Sequence, residues 1–207
     1  MNIQEAYNHW SATYDTDENL TRDLDHAVTR ETLIDRQYQS ILEIGCGTGK
    51  NTHLLAQSGD RVLALDFSEG MLRRAKEKLE SDHVIFSAAD ITKQWPCADE
   101  SADLIACNLV LEHIEDISFV FSEAFRTLTE GGHLFMCELH PFRQYQGTKA
   151  RFQRDQGRIE IQAFTHHISD YLEDAEKTGL TFKKCREWWH EEDQGKPPRL
   201  VSFIFEK

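Results

Sequence analysis

Residues 41–52, Ile41-Leu-Glu-Ile-Gly-Cys-Gly-Thr-Gly-Lys-Asn-Thr52, carry the clearest structural signal in the chain. They begin as a short apolar run ending in glycine, which is typical of a buried strand, and lead into a helical pattern over residues 49–58. Glycines between a strand and a helix permit a tight turn and let a ligand approach backbone N–H groups closely. The segment therefore predicts a strand, a glycine loop and a helix around a ligand.

Strand and helix patterns alternate after this loop. Further strands are predicted at residues 61–66, 83–87, 102–107 and 133–137. One helix is predicted after Ser68, and another begins at Asp116 and is stopped by Gly131-Gly132. This alternation predicts a parallel sheet with helices on both faces, whose ligands bind beyond the carboxyl ends of the strands. Acids follow three strands, at Asp66, Asp90 and Glu138.

The segments before and after these strands and helices are predicted to belong to the same single domain, 1–207. The first 36 residues predict two helices that form a lid, with Leu24, Ala27, Val28 and Ile34 facing inward on the second. After a core at 38–139, alternating residues predict a hairpin turning at Asp155-Gln-Gly157, within a substrate-covering insertion at 140–167. Residues 168–207 predict a helix from Ser169 to Gly179 and two strands, 180–189 and 199–206.

Size and charge exclude several classes of protein. At about 150 residues per domain, 207 residues suit one domain. A net charge of −13 disfavours a broad nucleic-acid interface. The chain lacks an apolar run of about 18 residues that would span a membrane, and its start lacks signal-peptide blocks. Five widely spaced cysteines without a CxxC indicate reduced thiols. We expect a cytoplasmic protein, monomeric or homodimeric, without nucleic-acid or membrane partners.

Two classes of cofactor use such a glycine loop: dinucleotides and S-adenosylmethionine. The dinucleotide pattern G-x-G-x-x-G needs glycine at position 50, where this chain has Lys50. A carboxylate at Glu43, just before the loop, would repel a pyrophosphate by roughly 1–4 kcal/mol at about 4 Å. Asp66 suits the ribose hydroxyls of either cofactor. Asp90 suits an adenine amine, which favours S-adenosylmethionine. An NAD-dependent oxidoreductase and a non-catalytic nucleotide-binding regulator remain alternatives.

Together these motifs resemble class I S-adenosylmethionine-dependent methyltransferases of the type-11 group. The resemblance rests on Ile41 to Thr52, Leu65-Asp-Phe-Ser-Glu-Gly-Met71, Ala89-Asp-Ile91, Asp103-Leu-Ile-Ala-Cys-Asn-Leu-Val-Leu-Glu-His113 and Leu128-Thr-Glu-Gly-Gly132. It implies an α/β, Rossmann-like, doubly wound seven-stranded mixed sheet whose last strand is antiparallel. It also implies S-adenosyl-L-methionine as cofactor, S-adenosyl-L-homocysteine as product, and methyl transfer to an O, N or C atom of a small-molecule acceptor.

The resemblance further implies a set of site residues. Those expected to bind the cofactor are Trp10, Tyr14, Glu43, Gly45, Cys46, Gly47, Gly49, Asp66, Phe67, Met71, Asp90, Ile91, Asn108, Leu109 and His113. Cation–π contact of Trp10 and Tyr14 with the sulfonium would contribute about 1–2 kcal/mol. Candidate catalytic bases are His113, His140 and His166.

Two further features concern metal and charge. Some related enzymes bind a divalent ion through Glu-x-x-Glu-His, but Leu109 replaces the first glutamate here, so no metal is expected. Basic residues are concentrated in the insertion, where they would attract an anionic substrate or form a solvated hairpin face. They are Arg143, Lys149, Arg151, Arg154 and Arg158.

Overall fold

A computed structural model of the chain describes residues 2–154 and 157–207, built around a seven-stranded sheet. Its strands are β1 (Ile41–Ile44), β2 (Val62–Asp66), β3 (Val84–Ala88), β4 (Ala102–Asn108), β5 (Leu128–Leu139), β8 (Thr181–Trp188) and β9 (Leu200–Glu206). A separate antiparallel hairpin is formed by β6 (Arg151–Arg154) and β7 (Gly157–Glu160). The α-helices are α1 (Ile3–Trp10), α2 (Leu20–Leu33), α3 (Lys50–Leu55), α4 (Glu69–Lys78), α5 (Ser118–Thr127), α6 (Pro141–Tyr145) and α7 (Ile168–Thr178).

The strand order is β3-β2-β1-β4-β5-β9-β8. Strands β1 to β5 pair in parallel, and β9 runs antiparallel to both of its neighbours. The predicted doubly wound mixed sheet with an antiparallel last strand is therefore confirmed. Strand order reverses at β1, between β2 and β4, which places the ligand crevice of such a sheet beside the glycine loop.

Each face of the sheet is covered by helices because strand residues alternate between the two faces. Along β4, Ile105 and Cys107 pack in the same core as α5 and α7. Leu104 and Ala106 pack in a second core with α2. These four consecutive residues of β4 are fully buried, as expected for a central parallel strand.

Helix α5 ends earlier than the sequence predicts. Gly131-Gly132 was expected to stop it, but the helix ends at Thr127 and Leu128 already belongs to β5, where it pairs with Ala102. The pairing of β5 with β4 thus includes residues that the sequence pattern assigned to the helix. The N-cap of α5 is Ile117 rather than the predicted Asp116, although Asp116 Oδ1 accepts a hydrogen bond of 3.0 Å from the amide of Ser118, the first residue of the helix.

Helix α7 begins one residue before the predicted cap. Its N-cap is His167 rather than Ser169, because the His167 amide donates to Asp170 Oδ2 at 2.8 Å. Gly179 closes the helix as predicted, with φ of +93°. The predicted hairpin turn cannot be compared, since Asp155 and Gln156 lie outside the described residues.

The inward face of α2 also differs from the prediction. Val28 is buried, but Ala27 is exposed, and the polar residues Asp25 and Thr29 are buried instead. Leu24 and Ile34 are half-buried. A prediction that places only apolar residues on the buried face of α2 is wrong here. The face includes polar groups, whose burial is tolerated because they form hydrogen bonds with other elements.

Within the described residues, no helix is long and apolar enough to cross a membrane. All five cysteines are free thiols.

Candidate active site

A cavity of about 520 Å³ lies at the carboxyl ends of β1, β2 and β4. The glycine loop and Asp66 line one part of it, and residues from α1 and from 159–162 line another part. Its volume is in the usual range for a small-ligand site, about 300–1,000 Å³. The cavity therefore occupies the crevice that the strand order defines.

Two glycines of the loop line this cavity. Gly45 has φ of +73°, and a Cβ there would lie 2.1 Å from Val110 Cγ2. Gly47 has φ of +54°, and a Cβ there would meet open space. Gly49, expected to face the cofactor, instead faces α4, since its Cβ would lie 3.2 Å from that of Ala75. Gly47 thus leaves room for a ligand, while Gly49 lets α3 pack closely on α4.

Asp66 joins the end of β2 to the glycine loop. Its Oδ2 accepts from the Gly47 amide at 2.8 Å, and its Oδ1 accepts from the Ser68 amide at 2.7 Å. Burial raises its pKa to about 6, although these amide donors oppose the shift. The carboxylate is held in place and faces the cavity with lone pairs remaining for hydroxyl donors.

Glu43 differs electrostatically from what the sequence predicts. It is buried at the base of the cavity and accepts from Thr52 Oγ1 at 2.5 Å. Burial raises its pKa to about 8, so the carboxyl group carries its proton at neutral pH. The expected repulsion of a pyrophosphate required a charged Glu43, and the structure removes that argument.

A buried polar network borders the same part of the cavity. Asn108 Nδ2 donates to Asp25 Oδ1 at 2.6 Å and to Thr29 Oγ1 at 2.8 Å. Asn51 Nδ2 donates to Asp25 Oδ2 at 2.8 Å. The Oδ1 atom of Asn108 is buried without a hydrogen-bond partner among the described residues. Such an atom is costly unless a ligand satisfies it. The sequence motifs did not indicate Asp25 as a site residue, because it lies on α2, outside all of them.

Six more of the residues expected to bind the cofactor line the cavity: Cys46, Phe67, Met71, Asp90, Ile91 and Leu109. Leu109 has φ of +55°, a left-handed conformation that is strained for a residue with a branched side chain. Strain of this kind concentrates at functional sites.

The aromatic residues of the lid are arranged around an arginine. Tyr14 lines the cavity, but the Arg22 guanidinium lies 4.0 Å from the centre of its ring. Trp10 packs against Ala6 and Ile161, behind the residues that line the cavity. The cation on these rings is therefore Arg22, which the sequence patterns did not indicate.

The three candidate histidines are not brought together. His113 lines the cavity, with Nε2 2.7 Å from the Tyr7 hydroxyl. His140 lies elsewhere, with Nε2 2.9 Å from Glu187 Oε1. His166 Nε2 lies 2.7 Å from the carbonyl oxygen of Ile114 and is also away from the cavity lining. Of the three candidate bases, the geometry thus favours His113.

The basic residues of the insertion do not form a cluster at the cavity. Arg143 is buried against Asp193, with Nη2 2.6 Å from Oδ1, and Lys149 pairs with Glu160 at 3.0 Å. The side chains of Arg154 and Arg158 lie outside the described residues. In the part of the chain that is described, no group of three or more His, Cys, Asp or Glu side chains is arranged to hold a metal.

Comparison with known proteins agrees with this architecture. Residues 42–136 match a family model described as a methyltransferase domain. A demethylmenaquinone methyltransferase from Clavibacter sepedonicus is 37% identical over 101 residues, which cover 48% of this chain and 41% of that protein. A malonyl-[acyl-carrier protein] O-methyltransferase from Hahella chejuensis is 30% identical over 141 residues, covering 66% and 49%. The chain thus spans about half the length of these curated relatives.

A solved structure shares the whole fold. The N-methyltransferase NodS from Bradyrhizobium japonicum, in complex with S-adenosyl-L-homocysteine, has a TM-score of 0.75 at 21% identity. The match covers 100% of this chain and 99% of that one. The match over residues 42–136 and the shared fold support the resemblance to class I S-adenosylmethionine-dependent methyltransferases that the motifs indicated.

Proposed function

We propose that the protein transfers a methyl group from S-adenosylmethionine to an O, N or C atom of a small, uncharged and largely apolar acceptor. The observation that carries this proposal is the lining of the cavity. The glycine loop and Asp66 line the same space as apolar residues of α1 and of 159–162. A methyl donor and its acceptor need such a shared space to meet.

The first part of the cavity fits the cofactor. Gly47 leaves open space at the loop, Asp66 offers carboxylate lone pairs to ribose hydroxyls, and Asp90 with Ile91 suits an adenine. The unpartnered Oδ1 of Asn108 can accept from an ammonium group. When bound, the cofactor supplies a methyl group already activated on a positively charged sulfur.

The second part of the cavity suits an acceptor without charge. Ile3, Ile114, Ile159 and Ile161 line it, together with the polar Gln162 and with Glu160, whose charge is paired with Lys149 at 3.0 Å. The acceptors named for the two relatives differ in this respect: demethylmenaquinone is uncharged and apolar, whereas a malonyl group bears a carboxylate. The apolar lining, with Arg143 and Lys149 already paired to acids, supports the uncharged type.

The chain's main contribution to the reaction is placement. Holding acceptor and methyl group in line and excluding water supplies roughly 7–11 kcal/mol of the barrier reduction. A general base adds about 10²- to 10⁴-fold in rate. His113 is the predicted base that faces the cavity.

Calorimetric titration and an activity screen test the proposal. The protein should bind S-adenosyl-L-homocysteine. In a screen of phenols, amines, quinols and carboxylates with S-adenosylmethionine as donor, it should release that product with members of the first three classes. NAD serves as the competing ligand. Binding of NAD without binding of S-adenosyl-L-homocysteine would overturn the proposal, and turnover confined to carboxylate acceptors would overturn its acceptor class.

A further inference from the structure

Tyr7 of α1 and His113 form a hydrogen-bonded pair inside the cavity. The Tyr7 hydroxyl lies 2.7 Å from His113 Nε2, and both side chains line the cavity. The two rings meet edge to face, with centres 5.4 Å apart. His113 follows β4, whereas Tyr7 belongs to the helix that covers the site, so the pair exists only when α1 lies in place.

The second nitrogen of His113 determines the direction of this hydrogen bond. Its Nδ1 lies 2.9 Å from the backbone carbonyl oxygen of Gln162, which can only accept. Nδ1 therefore carries the hydrogen of the neutral ring, and Nε2 is left as an acceptor. Burial lowers the pKa of His113, which keeps the ring neutral at pH 7. It follows that the Tyr7 hydroxyl donates to Nε2.

Tyr7 also contacts two other residues that line the cavity, Phe67 and His113. Its ring centre is 6.2 Å from that of Phe67, next to Asp66, and its hydroxyl points to His113. Since its hydrogen is donated to His113, the phenolic oxygen has lone pairs left to accept a hydrogen bond from an acceptor molecule. Tyr7, rather than His113, is then the group placed to take the acceptor's proton.

We infer that Tyr7 and His113 form a proton relay that deprotonates an O–H or N–H acceptor during methyl transfer. This inference rests on the proposed function. An electron pair of the acceptor atom forms the bond to the methyl carbon, and the pair of the broken S–C bond stays on sulfur. The acceptor's proton passes to the Tyr7 oxygen while the Tyr7 proton passes to His113 Nε2. The result is a neutral tyrosine and an imidazolium.

The surroundings of the pair are suited to an imidazolium. Glu112 Oε1 lies 3.9 Å from His113 Nε2, and Glu112 Oε2 is buried without a partner among the described residues. Burial raises the pKa of Glu112 to about 7, so it can ionise when a cation forms beside it. The other titratable or charged groups facing Tyr7 are Tyr14 and Arg22 from the N-terminal segment and Asp66 from β2.

Conservative variants separate a relay from a packing role. Tyr7→Phe keeps the ring and removes the hydroxyl, and His113→Asn keeps a donor near the Gln162 carbonyl while removing Nε2. Each should lower kcat by about 100-fold, with little change in KM or in affinity for S-adenosyl-L-homocysteine. The double variant should lose no more than either single one, because both break one relay.

A matched control exists outside the cavity. The Tyr145 hydroxyl lies 3.0 Å from His167 Nε2 at the protein surface, so Tyr145→Phe removes a hydrogen bond of the same kind. It should leave kcat unchanged. The wild-type kcat should be independent of pH above the lowered pKa of His113. In His113→Asn, kcat should continue to rise with pH until the acceptor itself ionises.

The pair can also be tested without any acceptor. Nitrogen NMR of histidine-labelled free protein should show His113 protonated on Nδ1. Its pKa should rise in Tyr7→Phe, since the lost donor stabilised the neutral ring, and should not change in Tyr145→Phe. A proton on Nε2, or full kcat in Tyr7→Phe, would overturn the relay. Failure to bind S-adenosyl-L-homocysteine would instead overturn the proposed function.

Discussion

The Oδ2 atom of Asp66 accepts a hydrogen bond of 2.8 Å from the backbone amide of Gly47. This contact links the end of β2 to the middle of the glycine loop. It holds the carboxylate and the loop in one arrangement, and preorganisation of this kind reduces the ordering cost of binding. The predictions below begin with these two residues.

Replacing Asp66 with asparagine should weaken the binding of S-adenosyl-L-homocysteine. A hydrogen bond to a charged group contributes about 1.5–3 kcal/mol, which corresponds to about 10- to 100-fold in Kd. Asp60→Asn is the matched control, because Asp60 is exposed just before the same strand. Calorimetric titration of both variants measures the difference. Equal affinity of Asp66→Asn and wild type would show that Asp66 does not hold the ribose.

Gly47→Ala should impair binding more than folding. Gly47 and Gly147 both have positive φ and both have open space where a Cβ would lie. Each alanine should therefore reduce the free energy of unfolding by a similar amount, about 1–2 kcal/mol. Only Gly47 lines the cavity, so only Gly47→Ala should also raise the Kd for S-adenosyl-L-homocysteine. Unimpaired binding in a folded Gly47→Ala protein would contradict the placement of the ligand at the loop.

Glu43 should make the free protein less stable at alkaline pH. Its pKa is about 8 in the folded chain against an ordinary value of 4.5. Between these values the folded state holds a proton that the unfolded state has lost, so the free energy of unfolding falls as pH rises. Urea unfolding from pH 5 to pH 9 measures the slope.

Glu43→Gln should make this pH dependence shallower, since glutamine cannot ionise. Glu77→Gln is the control, because Glu77 forms only a surface ion pair with Arg74. It should retain the wild-type slope. An identical slope in Glu43→Gln would show that Glu43 is already ionised in the folded protein.

Asn8 should hold α1 closed over the cavity. Its Oδ1 accepts from Ser68 Oγ at 2.7 Å and from the Gly70 amide at 3.0 Å. Asn8→Ala should speed dissociation of S-adenosyl-L-homocysteine by about 30-fold, since each of the two bonds contributes about 1 kcal/mol. Hydrogen exchange in α1 should also become faster. His9→Ala, at an exposed position of the same helix, is the control. Unchanged dissociation in Asn8→Ala would mean that α1 is not a lid.

Some of these features follow from sequence and others do not. The glycine loop and Asp66 were predictable because short motifs place them at strand ends, and the sheet topology follows from the alternation of elements. Asp25 reaches the cavity from a helix that carries no motif, and Tyr7 reaches it from a helix on which only Trp10 was predicted as a site residue. Their roles depend on tertiary packing, and so do the protonation of Glu43 and the ion pair of Arg143 with Asp193. Local patterns contain no information on such contacts.

A crystal structure of the protein grown with S-adenosyl-L-homocysteine tests the central claim most directly. We expect the nucleoside in the crevice, with its ribose hydroxyls on the carboxylate of Asp66 and its amino-acid end beside Gly47. Density for the ligand away from the glycine loop, or an empty crevice at saturating ligand, would contradict the account.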